Sequence, residues 1–374
     1  MAESTLPKEM KAQVLEAFNQ PYALKSLPLP QLASDHDLLI KVDAASYCHT
    51  DFVLASGQMR PSPPTFPHIG CHEFAGTIVS LSASPSSSAK QYRAGQKVGA
   101  PGRAYHPCGT CFECVDTSRP ESDYAGYSVY CSNASNNGIN RNGGFSEYAV
   151  VDARQVALLP ETITPVDAAP LMCAGITIFG ALKRCKLSRG QRVGIVGAGG
   201  GLGHLGLQFA TAMGLQTIGV DAADGPIHLA KSLGTAAEIV DARSQEAETI
   251  VRRLGKEDGE SNSANMGLDA VIILPEGQSG FDFGMKLLKH HGLCVVVSFP
   301  EAGFHVSARD LVFRDITITG SLVGGNNTLR EMLDFAAKHN VRAVSKTFAL
   351  DNLNGLVEEY HKAAGGKLVV DMSL

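Results

Sequence analysis

Tryptophan is absent from the 374 residues, and aromatic side chains make up only 6% of them. No indole ring can therefore wall a binding pocket in this protein. Clusters of basic residues are missing as well: 32 Lys and Arg are scattered among 37 Asp and Glu, for a formal charge of -5. That balance gives no electrostatic footprint for a nucleic-acid or anionic-membrane partner. No uninterrupted apolar run approaches the roughly 20 residues that span a bilayer. The first dozen residues, with Glu3, Lys8, Glu9 and Lys11 among them, lack the apolar core of a signal peptide, so the chain is read as cytoplasmic. A content of 44% hydrophobic and 18% charged residues is ordinary for a globular protein and indicates neither disorder nor a fibrous repeat.

At this length two domains are expected. Short β-rich runs at 10–18, 38–42, 74–81 and 145–151 are separated by turns rich in Gly, Pro, Ser or Asp. Residues 82–88 read as a serine-rich surface loop. After about Pro170, apolar runs at 193–196, 217–220, 236–240, 268–274, 293–299 and 316–323 alternate with longer helical stretches. Unalternating runs separated by helices describe a parallel sheet buried on both faces, the doubly wound α/β plan. From about Gly324 a helix at 329–338 precedes two strand-like runs, 344–349 and 368–371.

The first of the later runs leads into Gly197, Ala198, Gly199, Gly200, Gly201, Leu202 and Gly203, and then into a helix with Leu205, Phe209 and Met213 at helical spacing. Glycine tolerates positive φ, and its missing side chain lets backbone amides approach a pyrophosphate at a helix N-terminus. A literal G-x-G-x-x-G occurs only at 201–206, too far into the helix, so the turn reads as that fingerprint with one extra residue. The next strand ends at Asp221, 22 residues after Gly199, where an acid binds ribose hydroxyls and repels a 2′-phosphate. NAD is favoured over NADP on that ground; a plain cap on the following segment is the other role open to Asp221.

Nine cysteines make an odd count, and four of them, Cys108, Cys111, Cys114 and Cys131, fall in one stretch. Four thiolates at short spacing satisfy tetrahedral zinc, and a reducing compartment favours metal over disulfides. The long last gap is an inserted loop, whose closure costs little extra entropy. Cys48, His72 and Cys173 are scattered, and spacing alone does not assemble them; a small core cysteine and a buried histidine account for them equally well.

The stretches CHTDF (48–52), GCHEFAG (70–76), CGTCFEC (108–114), GGFSEYAV (143–150), AAPLMCAGITIFGAL (168–182) and GAGGGLGHLGLQFATAMG (197–214) together resemble the zinc-containing alcohol dehydrogenases of the medium-chain dehydrogenase/reductase family, especially their yeast-like branch. The resemblance runs from about Met10 to the C-terminus. It implies a mainly β, GroES-like catalytic domain at 1–168, a Rossmann domain for NAD at 169–323, and a segment at 324–374 that returns to the catalytic domain. It also implies two zinc ions. Cys48, His72 and Cys173 would hold a catalytic one, with an open fourth position and Glu73 beside it as a transient ligand. Cys108, Cys111, Cys114 and Cys131 would hold a structural one. Thr50 would take the proton of an alcohol substrate, or return it to a carbonyl. His49 and Lys367 would approach the cofactor pyrophosphate, and Thr177 and Val323 the nicotinamide. Relatives pair through the strand at 316–323, so a homo-oligomer, dimer or tetramer, is expected. A zinc-free quinone or enoyl reductase, or a non-enzymatic protein on the same fold, are the competing expectations.

Four positions depart from the family. Residues 102–105, Gly-Arg-Ala-Tyr, stand where many relatives place a bulky aromatic, which implies a roomier, more polar pocket for a substrate larger than ethanol. Lys367 replaces an arginine and loses its bidentate fork. Cys71 stands where glycine is expected; in a strand it would point away from His72 and serve packing. Val53 replaces a proton-relay histidine, so the proton must leave through cofactor hydroxyls, His49 or water. Turnover should consequently depend steeply on pH, and Val53→His should flatten that profile; an unchanged rate and profile in the variant would remove the idea.

Overall fold

The chain divides its strands between two large sheets and a separate two-stranded one made of its first two strands, in a computed structural model that describes residues 6–59, 62, 63, 65–116 and 128–374. The N-terminal part contributes β1 (Glu9–Val14), β2 (Ala23–Pro28), β3 (Asp37–Tyr47), β4 (Glu73–Leu81), β5 (Lys97–Pro101), β6 (Tyr148–Asp152) and β7 (Ala157–Leu158). The middle contributes β8 (Arg192–Val196), β9 (Gln216–Asp221), β10 (Glu238–Asp241), β11 (Leu268–Ile273), β12 (Leu288–Val296) and β13 (Thr317–Gly320). The last two, β14 (Ser345–Phe348) and β15 (Lys367–Asp371), belong to the first sheet, where β15 runs antiparallel to β3.

The middle strands form a parallel sheet in the order β10-β9-β8-β11-β12-β13. Strand order reverses between β8 and β11, and in such sheets ligands bind at the carboxyl ends of the two strands flanking the reversal. Those ends are Val196, where the glycine turn begins, and Ile273. The other sheet has the order β14-β15-β3-β4-β5-β7, with β6 also paired to β3. The six expected runs of the parallel sheet correspond to its six strands. The last run is cut to Thr317–Gly320, where its ladder with β12 ends opposite Val296, and the backbone beyond it turns to φ +45° at Val323. Strand β2 escaped the sequence reading: it alternates between half-buried and exposed residues and carries no strong apolar signal.

Pro165–Arg184 is a 20-residue helical stretch of mean hydropathy 1.5, 72% buried. It is therefore a longer apolar element than the sequence reading recognised, and its side chains join Ile195, Leu205 and Phe209 in the core on one face of the parallel sheet. A single wide π turn, Leu171–Gly175, interrupts it.

The helix Gly203–Ala212 carries His204, fully buried at the joint between the sheets. The Val344 amide donates to its Nε2 at 3.1 Å, which leaves the ring proton on Nδ1, 2.9 Å from the Gly200 carbonyl. Burial pushes the ring from its ordinary 6.5 to about 4. A depressed histidine favours the fold in its neutral form: the contribution is complete above 6.5 and is lost as pH falls toward 4. Between about pH 7 and about pH 5 this amounts to roughly 2 kcal/mol. The gap in unfolding free energy between the native chain and His204→Phe should shrink by that amount over this interval, as read by urea denaturation; a constant gap would show that the ring does not titrate there.

Candidate functional site

Strand β3 ends at Tyr47, and the chain turns at Cys48 into the helix His49–Ala55. Asp51 fixes the turn: its Oδ2 accepts the Cys48 amide at 2.9 Å, an acid in the first helical turn bonding back to the cap. Its Oδ1 accepts the Cys71 amide at 3.0 Å and lies 3.6 Å from His72 Nδ1. One buried carboxylate thus orients two ligand-bearing segments. The sequence reading passed over Asp51, although an acid three residues after a helix cap is a legible signal.

Cys173 comes from the π turn, a distortion common at functional sites. The sulfurs of Cys48 and Cys173 and a ring nitrogen of His72 lie within 4.8 Å of one another. Two sulfurs and one nitrogen at this spacing are the donor set of a three-ligand zinc site. The Cys48 thiol is held well below its ordinary value, first by its bond from Cys173 and, against burial, by the charge of Lys367. Cys173 is pushed up by the same bond and by burial. Thr50 Oγ1 stands 3.8 Å from Cys48 Sγ.

Glu73 lies beside these ligands with its carboxylate fully engaged. Ser46 Oγ donates to it at 2.9 Å, the Ala174 amide at 3.3 Å, and Lys367 Nζ forms a buried ion pair with it. To swing toward a metal it would have to leave all three. Lys367 lines the cavity described below, its Cδ 3.1 Å from where a Cβ on Gly201 would lie, but its Nζ is engaged in the interior, where it also donates to the Tyr47 carbonyl at 2.8 Å. Burial alone would discharge the amine, but the Glu73 carboxylate outweighs it and holds the ammonium above its ordinary value.

Cys71 is corrected as well. β4 begins only at Glu73, and Cys71 has φ +75°, a region that favours glycine. Its sulfur is buried, 3.4 Å from the carbonyls of Ser46 and Glu73, so it packs as expected but from a turn. Of residues 102–105, Gly102 lies against His72 and Arg103 is buried, donating to Gln155 Oε1 at 3.2 Å. Tyr105 turns away to Asp37 Oδ1 at 2.7 Å.

A cavity of 750 Å³ opens at the carboxyl ends of β8 and β9, walled by Gly197, Gly200, Gly201, Leu202, Gly203 and Asp221 and, opposite, by residues 344–346, Tyr360 and 363–368. Gly197 has φ +86°. Within the turn expected to face a pyrophosphate, the Gly199 amide donates to Asp221 Oδ2 at 2.9 Å. Glycine is required there because a Cβ would lie 1.9 Å from the Pro226 carbonyl oxygen. Asp221 therefore braces the turn and walls the cavity at once. The Thr177 hydroxyl is buried with no partner among the described residues. Val323, β-branched yet at φ +45°, is strained, as residues at functional sites often are. A glycine turn at a helix N-terminus, an acid closing the next strand and an orphaned hydroxyl fit a dinucleotide. His49 is half-exposed, with Nδ1 2.7 Å from the Tyr360 hydroxyl and Nε2 3.3 Å from Glu276. Tyr360 and Glu276 were not foreseen, because one closes the helix Leu353–Tyr360 and the other follows β11, and nothing local marks either.

Away from the cavity, the sulfurs of Cys108, Cys111, Cys114 and Cys131 lie within 4.8 Å of one another. The short helix Phe112–Val115 presents Cys114, and the Cys111 amide donates to Cys108 Sγ at 3.3 Å. The Cys108 thiol is drawn down to about 5, chiefly by a bond from Asn133, while burial raises Cys114 to about 12. Most of the inserted loop, 117–127, lies outside the described residues.

Residues 34–161 match the family model of an alcohol dehydrogenase GroES-like domain, and residues 201–338 that of a zinc-binding dehydrogenase. The chain is 32% identical over 364 residues to an alcohol dehydrogenase of Geobacillus stearothermophilus, spanning 97% of this chain and 99% of that one. An alcohol dehydrogenase of Moraxella sp. (strain TAE123) is 30% identical over 368 residues, 98% of this chain and 100% of the relative. The crystal structure of the alcohol dehydrogenase from the hyperthermophilic archaeon Aeropyrum pernix superposes with a TM-score of 0.80 at 27% identity, covering 96% of this chain and 99% of that chain.

The Lys367–Glu73 pair carries its own test. Removing one member of a buried ion pair leaves an uncompensated charge and costs about 3 kcal/mol. Lys367→Met should lower unfolding free energy by that order, and adding Glu73→Gln should recover part of it. A solvent-facing lysine would instead leave stability unchanged.

Proposed function

The chain belongs to the alcohol dehydrogenases of the medium-chain dehydrogenase/reductase family, and from that premise we propose a zinc-dependent, NAD-linked enzyme that interconverts alcohols larger than ethanol with their aldehydes or ketones. The observation that carries this reading is the convergence of Cys48, His72 and Cys173 next to Thr50. A zinc ion on those ligands would supply Lewis acidity toward the substrate oxygen, and a nicotinamide in the cavity would supply the hydride acceptor.

The chain's own residues do the rest. Asp51 anchors the backbone next to His72 through the Cys71 amide, and its charge faces the His72 ring. Thr50, whose Oγ1 is 3.8 Å from Cys48 Sγ, takes and returns the substrate proton in this reading, and Val53, one helical turn on, cannot carry it further. Lys367 compensates the buried Glu73 carboxylate, so the site keeps that charge without a metal contact. Thr177 offers an unspent hydroxyl to the carboxamide of a nicotinamide. The Asp221 carboxylate, at the cavity wall, supports NAD over NADP because a 2′-phosphate would meet like charge. Absence of tryptophan and the buried Arg103 beside Gly102 support a larger and more polar substrate. Cys108, Cys111, Cys114 and Cys131 make up a second, structural zinc site in this reading. A homo-oligomer is also proposed: among the described residues β13 pairs only with β12, and Val312 and Phe313 nearby are 72% and 71% exposed.

Elemental analysis of protein purified without added zinc should give close to two zinc ions per chain. The same preparation should have a mass in solution that is a multiple of 39.5 kDa, and should turn over bulky or aromatic alcohols with NAD faster than ethanol. Absence of zinc would overturn the reading in favour of a zinc-free reductase. Clear preference for ethanol would sink the larger substrate while leaving the reaction class intact.

A further inference from the structure

The helix after the glycine turn makes contacts that hydride transfer does not require. His204 and Gln208 stand one helical turn apart on it, on the same face. Both reach the backbone that precedes β14. The Val344 amide donates to His204 Nε2 at 3.1 Å. Gln208 donates through Nε2 to the Arg342 carbonyl at 2.8 Å, and its Oε1 accepts the Arg342 amide at 3.1 Å. Two alternate residues of an extended segment are thus met by helical side chains where a neighbouring strand would otherwise pair. From the other side of its ring, His204 also donates to the Gly200 carbonyl in the glycine turn. The segment so held is tied onward, because the Val344 carbonyl accepts the Lys367 amide at 2.9 Å.

We infer that His204 and Gln208 are positioning residues for the cofactor: they clasp residues 342–344 to the helix of the glycine turn, and so set the spacing of the two cavity walls between which a dinucleotide's pyrophosphate lies. The inference rests on the NAD reading proposed above. The walls in question are the two parts the clasp joins, Gly200 to Gly203 on one side and residues 344–346 on the other. Apolar side chains would pack this joint without the cost of burying an imidazole, which is recovered only through hydrogen bonds. What three hydrogen bonds to backbone add over apolar packing is a defined distance and register, because their geometry weakens steeply off line.

The test uses zinc-loaded full-length protein, with affinities for NAD, ADP-ribose and adenosine measured by calorimetry. Gln208→Leu touches no atom of the glycine turn and His204→Phe keeps a ring of similar size. In each, the Kd for NAD and for ADP-ribose should rise about fivefold, the worth of one net hydrogen bond. Adenosine, which has no pyrophosphate, should bind as it does to the native chain. KM for NAD should rise by more than kcat falls, and amide exchange over residues 342–345 should quicken. Dinucleotide affinity unchanged in Gln208→Leu, whatever its melting temperature, would reduce the clasp to a structural joint and overturn the inference. Gln208→Glu, which keeps the acceptor for the Arg342 amide but sets a carboxylate oxygen against the Arg342 carbonyl, should weaken dinucleotide binding at least as much as Gln208→Leu and carries the test if His204→Phe does not fold. A native chain that binds neither NAD nor ADP-ribose would instead overturn the cofactor reading, and the clasp with it.

Discussion

A lysine ammonium and a glutamate carboxylate, both sealed from water, form the contact on which the centre of this molecule depends. Lys367 begins β15 and Glu73 begins β4, and their ion pair joins the last strand of the chain to the strand next to the candidate ligands. Neither charge could be buried alone, since desolvation of an unpaired ion outweighs any packing gain. Each therefore constrains the other, and with them the return of the C-terminal segment to the first sheet. The ammonium also lowers the cost of placing thiolate beside it, which is the direction Cys48 takes.

Around that pair, each candidate ligand is presented by a departure from regular structure. Cys48 is the cap of a helix, His72 follows a left-handed Cys71, and Cys173 sits in a π turn. Regular strands and helices leave their side chains at fixed intervals, and three residues distant in sequence meet at one point only where the backbone bends to aim them. Asp51 couples two of these departures by binding the amides of Cys48 and Cys71 at once. Local strain of this kind persists only where surrounding contacts over-determine it.

The cofactor side follows a different logic. Its glycines serve close packing as much as ligand access: Gly199 surrenders its amide to Asp221 and its missing side chain to Pro226. The C-terminal segment then closes over the turn, with the Gly366 amide on the Gly199 carbonyl at 3.2 Å and Val344 on His204. The cavity is consequently a property of two domains rather than of the glycine turn.

Local pattern was legible because its causes are local. Runs of buried residues with helices between them identified the six parallel strands, the glycine turn identified a helix start after a strand, and four closely spaced cysteines identified one ligand cluster. The scattered set of Cys48, His72 and Cys173 was legible only through family resemblance, since no spacing rule brings such positions together. The sequence by itself thus determined element type, the α/β plan and the chemistry available. Tertiary structure alone decided what each polar group does with that chemistry. Lys367 meets Glu73 across 294 positions, His204 meets Val344 across 140, and Asp51 meets Cys71 across 20. Such partners are chosen by the requirement that every buried charge and hydrogen-bonding group be satisfied once the two sheets have packed, and that requirement has no counterpart in an unfolded chain, where water satisfies them all.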